Sequence, residues 1–539
     1  MERGQSVLHP IEKGYISTSA KKSMEYVDVL LIHPPYHRRA GSGIIPPIGL
    51  AYIASSLETQ GFSVAIIDCA LDCGSQSPAG LKQFQQYLNE KLENITPLKC
   101  IGVGPTTTPA LKSIYVLAKA LKKHYPETPI VYGGPFASMP SQTPIFFDLL
   151  EATALIRGEG EEVFPLLVNA LHQGNIGTPI HGVSWHKDEL ATVALVKDIN
   201  QIPFPARHLL ENHRYQPSLR RNVFDGAITP IYWSRGCPYQ CNFCVSPLLR
   251  GNRVVRRSYD NLFAEMRECI EHFGITGFIF YDDCLFINSR KLNQDVQEFC
   301  YVLMTEVGQV KWEMELRCDA VAALNSKSLW ALYKAGCRQI NMGIEKASNY
   351  NLKSLNKQLT TESIVTACEQ VKTVVPDMRL AGTFILGGPN ETEVDIEATI
   401  SFAKSLPLDF AHFYPLEIYP DTPFFTQVSN QGQPPTAWAY QMLENEENYW
   451  GEILYETQEL PSWRLLELTH RAYDEFYNRT EWFECFAKTT SLDVRSTGKA
   501  VIERWCKDRF HLSLDEAESI TLQQHQIQAR VTGELSCST

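Results

Sequence analysis

The sequence lacks the long apolar segments typical of membrane and exported proteins. No apolar run among the 539 residues approaches the roughly 18 residues that a membrane-spanning helix needs. Residues 1–24 mix charge, Ser and Gly without the apolar centre of a signal peptide, and we interpret them as a polar extension. We therefore expect a soluble, cytoplasmic protein with no membrane insertion.

Positive charge is also in short supply. The chain has 49 Lys and Arg against 61 Asp and Glu, so its formal net charge is -12. Nucleic-acid-binding proteins usually show a basic patch or stripe, so this balance argues against a nucleic-acid partner. Most of the fifteen cysteines stand singly along the chain, which in a protein of this size favours free thiols in a reducing compartment.

The sequence does contain an alternation of strand-like apolar runs and longer amphipathic stretches, which is typical of parallel sheets covered by helices. Residues 25–170 form a first block, in which each strand-like run ends in a turn rich in Gly, Pro or Thr. These runs are 27–32, 64–68, 100–103, 130–132 and 154–156. Because open α/β sheets bind ligands outside the carboxyl ends of their strands, we predict a doubly wound, Rossmann-like ligand-binding domain.

The second half of the chain predicts a partial barrel and a helical region. Residues 171–225 are predicted to be a linker, because the pattern weakens and Pro203 and Pro205 disrupt regular pairing. A closed eight-stranded barrel needs about 250 residues, so residues 226–425 are predicted to form a partial (β/α)6 barrel. Its strand-like runs are 229–233, 277–280, 311–315, 339–342, 380–385 and 410–413. Residues 426–539 are predicted to be a helical C-terminal region, with one helix from Trp463 to Tyr477.

The strongest chemical signal is a group of three cysteines with the spacing C-x3-C-x2-C, which follows a predicted strand: Cys237, Cys241 and Cys244. Three thiolates this close in sequence can bind three irons of a cubane cluster, whereas most electron-transfer clusters have four cysteine ligands. The fourth iron is then an open position where a small molecule can bind. A zinc site would usually pair two C-x2-C units or add His, and no His lies within ten residues of the triad.

The triad resembles the signature of the radical SAM superfamily, whose open iron chelates S-adenosylmethionine (SAM) and whose reduced cluster cleaves it to a 5′-deoxyadenosyl radical. The resemblance implies a 4Fe-4S cluster, SAM, and an electron donor such as flavodoxin or ferredoxin. It also implies SAM-binding residues across the second block: Phe243, Asp282, Asp283, Arg317, Glu345, Gly387 and Gly388. A structural interpretation stays open for several of them, since the aspartates could cap a helix, Arg317 could form a surface ion pair, and the glycines could form a turn.

The first block resembles the cobalamin-binding domain that precedes some radical SAM barrels. The similarity lies in the helix start at residues 46–50, in Ile67-Asp68, in the linker at residues 202–205, and in the turns after the strand-like runs. It implies cobalamin held by residues of these turns: Gly104, Thr106, Thr107, Gly133, Gly134, Gly158 and Glu159. Small residues allow a nucleotide tail to approach the backbone closely, and hydroxyl groups can bond it.

Two familiar motifs are missing from this block. Many cobalamin proteins carry D-x-H-x-x-G, whose His ligates cobalt. The loop after the first strand-like run has no such motif, although His37 lies in it. A loop His is more often solvated than a ligand. The chain also lacks G-x-G-x-x-G after its first strand-like run, which disfavours NAD.

Together, the two resemblances favour cobalamin-dependent methyl transfer to an unactivated carbon or phosphorus of a small-molecule intermediate. A radical cyclase or rearrangement enzyme of the same architecture, like the cyclases of tetrapyrrole synthesis, is the alternative. A cluster-bearing electron carrier or a cobalamin sensor would be non-catalytic. A tRNA methylthiotransferase is disfavoured, because Cys69, Cys73 and Cys100 do not form a second cluster motif.

Overall fold

Two six-stranded sheets organise the chain, one in each half. The computed structural model describes residues 25–35, 45–73, 78–215, 223–224, 226–389, 391–428, 436–444, 457, 459–477 and 479. The strands are β1 (Glu25–His33), β2 (Val64–Asp68), β3 (Ile95–Val103), β4 (Ile130–Tyr132), β5 (Ala154–Ile156), β6 (Val183–Ser184), β7 (Ile228–Ile231), β8 (Ser234–Arg235), β9 (Val255–Arg256), β10 (Gly277–Phe280), β11 (Lys311–Glu315), β12 (Cys337–Glu345), β13 (Arg379–Leu386) and β14 (Phe410–Pro415).

The helices alternate with these strands. They are α1 (Ile48–Glu58), α2 (Cys69–Asp72), α3 (Pro78–Leu92), α4 (Leu111–His124), α5 (Thr143–Asp148), α6 (Val163–His172), α7 (Ser246–Arg250), α8 (Tyr259–Phe273), α9 (Leu292–Glu306), α10 (Cys318–Ala322), α11 (Ser326–Lys334), α12 (Asn349–Ser354), α13 (Thr361–Val374), α14 (Glu393–Ser405), α15 (Pro423–Val428), α16 (Ala437–Glu444) and α17 (Ser462–Tyr477). Polar caps fix several starts: the Ser258 hydroxyl, for example, accepts the backbone N–H of Asn261 at the start of α8.

The first sheet has the strand order β2-β1-β3-β4-β5-β6, and all pairs are parallel except the last. Side chains along β1 alternate between two cores: Leu30 and Ile32 pack with α3, α4 and α5, whereas Val29 and Leu31 pack with α1 and α6. Helices on both faces confirm the doubly wound prediction. The order reverses between β1 and β3, so the switch point, where such sheets bind ligands, lies at the carboxyl ends of these two strands.

The second sheet has the order β14-β13-β12-β11-β10-β7, with every pair parallel. Neighbours in space are thus consecutive in the chain, apart from the small β8–β9 ribbon inserted after β7. β7 and β14 are the two edges, so the sheet is an open (β/α)6 barrel, as predicted. One apolar core, which includes Phe263, Phe299 and Trp312, joins the sheet to its outer helices.

Two segments connect the halves. The predicted linker contains β6, which extends the first sheet, and also Arg207, which is fully buried and donates from Nη2 to Glu265 of α8 at 2.7 Å. The predicted C-terminal helical region begins with α16 and α17. The extension at residues 1–24 and residues 480–539 lie outside the described residues. No helix in the ranges given above is long and apolar enough to cross a bilayer.

Candidate active site

The cysteine loop begins at a glycine that no other residue could replace. Gly236, which follows β8, has φ +99°, and a Cβ there would lie 2.0 Å from the carbonyl oxygen of Arg253, in the segment before β9. The three half-buried thiols follow between β8 and α7. Asn242, between the last two of them, donates its side-chain amide to the Ser354 carbonyl at 2.6 Å, and its own carbonyl accepts from Phe424. The barrel thus holds the loop from both sides.

The donor set fits an iron–sulfur cluster with one open iron. The loop offers three sulfurs and no fourth ligand type, and the backbone N–H of Ser246 points at Sγ of Cys244 at 3.4 Å. Burial raises the pKa of the Cys237 thiol and raises that of Cys244 to about 11. A metal bound to such thiols favours their thiolate form. Among the described residues, no three His, Cys, Asp or Glu side chains converge on a single metal ion, which is compatible with ligands spread around a multi-iron cluster.

The two predicted aspartates at the end of β10 differ in their surroundings. The Asp282 carboxylate is buried, accepts the Ser234 hydroxyl at 2.6 Å and also accepts the backbone N–H groups of Trp233 and Ser234. Burial raises its pKa to about 6. Asp283 is partly exposed beside the cysteine loop, accepts the Gly236 N–H at 3.0 Å and lies 3.1 Å from Arg250. Asp283 is therefore the better placed of the two to meet a ligand.

Arg317, one of the predicted SAM-binding residues, follows β11, and its guanidinium is largely engaged by other protein groups. Its Nε donates to Asp319 at 2.9 Å, and its Nη2 donates to the Lys357 carbonyl at 2.8 Å. The guanidinium also faces the ring of Tyr239, which belongs to the cysteine loop. The structure thus brings Arg317 to the loop.

Glu345 ends β12 in a left-handed conformation, with φ +68°. Its carboxylate accepts from Nζ of Lys357 at 2.6 Å, and a Cβ at Gly343 would lie within 2.7 Å of both charged groups. The Lys357 ammonium is 6.0 Å from the ring centroid of Phe243, another predicted SAM-binding residue. Burial alone would lower the pKa of Lys357, but the negative charge of Glu345 has the larger effect, and the pKa lies above its usual value.

The predicted glycine turn after β13 lies beside a buried ion pair. Lys346 Nζ donates to the Gly387 carbonyl at 2.8 Å and to Glu391 at 2.5 Å. Gly387 has φ +82°, and a Cβ there would press within 3.0 Å of Leu465 in α17. Gly388 has a Glu391 oxygen 3.4 Å from its Cβ position. Asn390, in the same turn, lies outside the described residues.

A cavity of about 450 Å³ lies between the two domains. Its first-domain wall is formed by the carboxyl ends of the first sheet's strands and the turns that follow them, and it includes the switch point. Glycines of this wall stand at positions 102, 104, 133, 134, 158 and 160. Its opposite wall is formed by Tyr232, Cys244, Leu249 and Tyr281 of the barrel. One space therefore joins the predicted cobalamin turns to the cluster loop.

Most of the predicted cobalamin residues line this cavity, but the two threonines do not. Gly104, Gly133, Gly134, Gly158 and Glu159 are on its wall. Thr106 and Thr107 lie off it; the Thr106 hydroxyl instead donates to the Gly133 carbonyl at 2.8 Å and ties two turns together. His37 lies outside the described residues.

Sequence reasoning missed four charged residues of the site. Arg235, Arg250 and Glu161 line the cavity, and Lys357 pairs with Glu345. Arg235 could have been suspected because it stands two residues before the triad, and Glu161 because it sits among the glycines of the turn after β5. The other two carry no sequence signal.

The fold and the site define a class of enzyme in which a flavodoxin-like domain presents a cofactor-sized cavity to the cluster loop of a partial barrel. Family comparison agrees: a model of the radical SAM superfamily matches residues 231–403, and a model of the B12 binding domain matches residues 40–168. The chain belongs to the radical SAM enzymes that carry a cobalamin-binding domain. The predicted 4Fe-4S cluster, SAM and cobalamin are thereby confirmed as its cofactors.

Relatives cover most of the chain. An uncharacterized methyltransferase of Pyrococcus horikoshii is 29% identical over 74% of this chain and 82% of its own length. An anaerobic magnesium-protoporphyrin IX monomethyl ester cyclase of Cereibacter sphaeroides is 28% identical over 75% of this chain and 64% of its own. The structure of the radical SAM methyltransferase TsrM from Kitasatospora setae superposes with a TM-score of 0.57 at 19% identity, covering 75% of this chain and 76% of that one, which is a likeness of fold.

Proposed function

We propose that this enzyme transfers a methyl group from SAM to an unactivated carbon or phosphorus of a small molecule. The observation that carries the proposal is the single cavity whose walls come from the switch point of the cobalamin-binding domain and from the cluster loop. When bound, the cluster and cobalamin supply reductive cleavage of SAM and delivery of the methyl group. The protein has to hold these groups close together and keep water away.

In this proposal, the barrel residues hold SAM at the open iron. Asp283 accepts a hydrogen bond from the SAM amino group, Glu345 accepts hydrogen bonds from the ribose hydroxyls, and Phe243 packs near the adenine. Lys357 and Arg317 place positive charge near the SAM carboxylate. The support is their common position around the cysteine loop, together with the partial exposure of Asp283.

The first domain holds cobalamin in the same proposal. Gly133 leaves room for the nucleotide tail beside the backbone, because a Cβ there would meet no atom nearer than 4.0 Å. Tyr232 and Tyr281, whose rings meet edge to face with centroids 6.3 Å apart, form part of the opposite wall of the cavity.

The substrate is a small molecule rather than a nucleic acid, a choice supported by the net charge of -12. Each SAM cleavage consumes one electron, so we propose a flavodoxin or ferredoxin of the cytoplasm as the electron source. The Pyrococcus relative favours methyl transfer, whereas the Cereibacter relative makes ring closure the competing outcome.

The test uses the full chain loaded anaerobically with iron, sulfide and hydroxocobalamin. It is incubated with reductant, SAM carrying a trideuterated methyl group, and a small-molecule extract. We expect S-adenosylhomocysteine and 5′-deoxyadenosine in comparable amounts, and a product heavier by one trideuterated methyl group. Cys241→Ala is the control and should yield neither a cluster nor 5′-deoxyadenosine. Formation of 5′-deoxyadenosine with no S-adenosylhomocysteine would exclude methyl transfer and leave the cyclase.

A further inference from the structure

Five charged side chains meet on the wall of the cavity between the domains. Two are arginines that flank the cysteine loop on either side, and three are carboxylates, two from the first domain and one from the barrel. They are Arg235, Arg250, Glu159, Glu161 and Asp283. This interdomain charge cluster connects the turn after β5 with the end of β10.

One half of the cluster is fixed. Arg235 donates from Nη1 to Glu159 at 3.1 Å and from Nη2 to Glu161 at 2.7 Å, and all three side chains are buried. Burial alone would raise the pKa of Glu161, but Arg235 outweighs it and the pKa lies below its usual value. Glu159 also accepts the Val196 N–H at 2.6 Å. Exchange of partners here would leave buried charges unpaired, at high cost.

The other half is shared between the domains and is more open. Arg250 lies with its Nε 3.3 Å from Glu159 and its Nη1 3.1 Å from Asp283. The side chains of Arg250 and Asp283 are 29% and 31% exposed. Arg250 can therefore change its ion-pair partner while in contact with water, and the free-energy cost of that change is small.

SAM would compete directly with Arg250. The Asp283 carboxylate already accepts the Gly236 N–H and the Arg250 guanidinium on the same oxygen. In the function proposed above, the ammonium group of SAM also binds to Asp283. One carboxylate then has two cationic partners, so the ion pair between Arg250 and Asp283 weakens when SAM binds.

We infer that Arg250 is a positioning residue that couples SAM binding at the cluster to cobalamin binding in the cavity. In the SAM-free protein, Arg250 ties the barrel rim to Glu159 of the first domain. When SAM occupies Asp283, Arg250 loses its partner in the barrel and pairs with Glu159 of the first domain alone, which strengthens the contact between the domains beside the cavity, so cobalamin binds more tightly. This inference rests on the proposed function, in which both ligands bind.

The experiment measures cobalamin affinity in the cluster-loaded full chain without reductant, so that SAM is not cleaved. Equilibrium dialysis of hydroxocobalamin is followed by absorbance, with and without saturating SAM. Couplings between sites usually change an affinity by roughly 5- to 150-fold, so we expect cobalamin to bind at least about fivefold more tightly with SAM. S-adenosylhomocysteine keeps the α-amino group of the amino-acid portion and should also tighten cobalamin binding. 5′-Deoxyadenosine lacks that portion and should not.

The variant Arg250→Gln should bind both ligands with affinities that no longer depend on each other. Arg253→Gln is the matched control: this exposed arginine lies three residues away, donates to the Lys197 carbonyl, and should keep the full coupling. Equal cobalamin affinity with and without SAM in the unmodified chain, or intact coupling in Arg250→Gln, overturns the inference and leaves the proposed function standing. Failure of the unmodified chain to retain any cobalamin overturns both.

Discussion

The guanidinium carbon of Arg317 lies 3.8 Å from the centroid of the Tyr239 ring, and Tyr239 stands between the first two cysteines of the cluster loop. Arg317 therefore supports the loop as well as facing the SAM site. A cation–π contact of this kind contributes about 1–2 kcal/mol when it is partly shielded from water.

The first prediction follows from this contact. Tyr239→Ala should speed the loss of iron from the loaded enzyme, because the loop loses its support on Arg317. A loss of about 1–2 kcal/mol corresponds to roughly a 5- to 30-fold faster release if the contact is intact only in the loaded state. Iron release to a chelator gives the rate. Tyr239→Phe, which keeps the ring, should release iron like the unmodified enzyme; fast release from both variants would mean that the hydroxyl, not the ring, matters.

A second prediction concerns the cavity wall. Gly133→Leu should weaken cobalamin binding because Gly133 lines the cavity and a Cβ there would meet no atom nearer than 4.0 Å, so the added side chain takes space from the ligand. Overfilling costs about 1–3 kcal/mol, or roughly 5- to 150-fold in affinity. Cobalamin retained after gel filtration is the measurement, and SAM cleavage without cobalamin should persist. Gly134→Ala is the contrasting variant: its Cβ would lie 2.5 Å from the Thr106 nitrogen at φ +107°, so it should lower the melting temperature instead.

A third prediction concerns the network that joins linker to barrel. Glu265 is fully buried between Arg207 and Arg257, and these arginines outweigh burial and keep its pKa below its usual value. Glu265→Gln would leave two buried guanidinium groups without their counter-charge and should lower the free energy of unfolding by about 3–5 kcal/mol. Urea unfolding followed by tryptophan fluorescence measures this. The exposed Glu271→Gln on the same helix should have no comparable effect.

A fourth prediction is a pH dependence. The pKa of Asp282 is about 6 in the folded chain against 3.8 in the unfolded chain, because burial disfavours its charge. The folded state therefore binds this proton more tightly, and the associated stability is present below pH 3.8 and lost as the pH rises through 6. The loss is on the order of 2–3 kcal/mol.

Urea unfolding of the cluster-free chain between pH 4.5 and 7.5 tests this sign. Relative to Asp282→Asn, which cannot ionise, the unmodified chain should lose stability as the pH rises. The exposed Asp260→Asn should show the same pH profile as the unmodified chain. A constant difference between the unmodified chain and Asp282→Asn would contradict the raised pKa.

The sequence was a good guide to the strands because buried parallel strands are short, apolar and bounded by turns. Its failures have local causes. β3 begins at Ile95, five residues before the predicted start at Cys100, because Pro97 and Lys99 interrupt the apolar pattern. Lys99 is nevertheless compatible with the strand, since its ammonium lies 3.4 Å from Asp28.

The site was predictable only where its chemistry is local in sequence. The three cysteines share one loop, so their spacing alone indicated the cluster. By contrast, Glu159 and Arg235 are 76 residues apart, and only the folded chain shows that a predicted cofactor residue is paired with a neighbour of the cluster loop. Thr106 is a similar case: its hydroxyl bonds the Gly133 carbonyl, and nothing in the sequence tells which way that hydroxyl points.

The position of α16 has a consequence for how the chain is made. Trp438 of α16 donates its indole N–H to Gln142 at 3.0 Å and packs against Phe136, so a late helix covers a domain that ends near residue 170. A ribosome adding about 5–20 residues per second needs on the order of tens of seconds to reach it. During that interval the nascent first domain presents this apolar surface to the cell, and it is sealed only after the barrel has been synthesised.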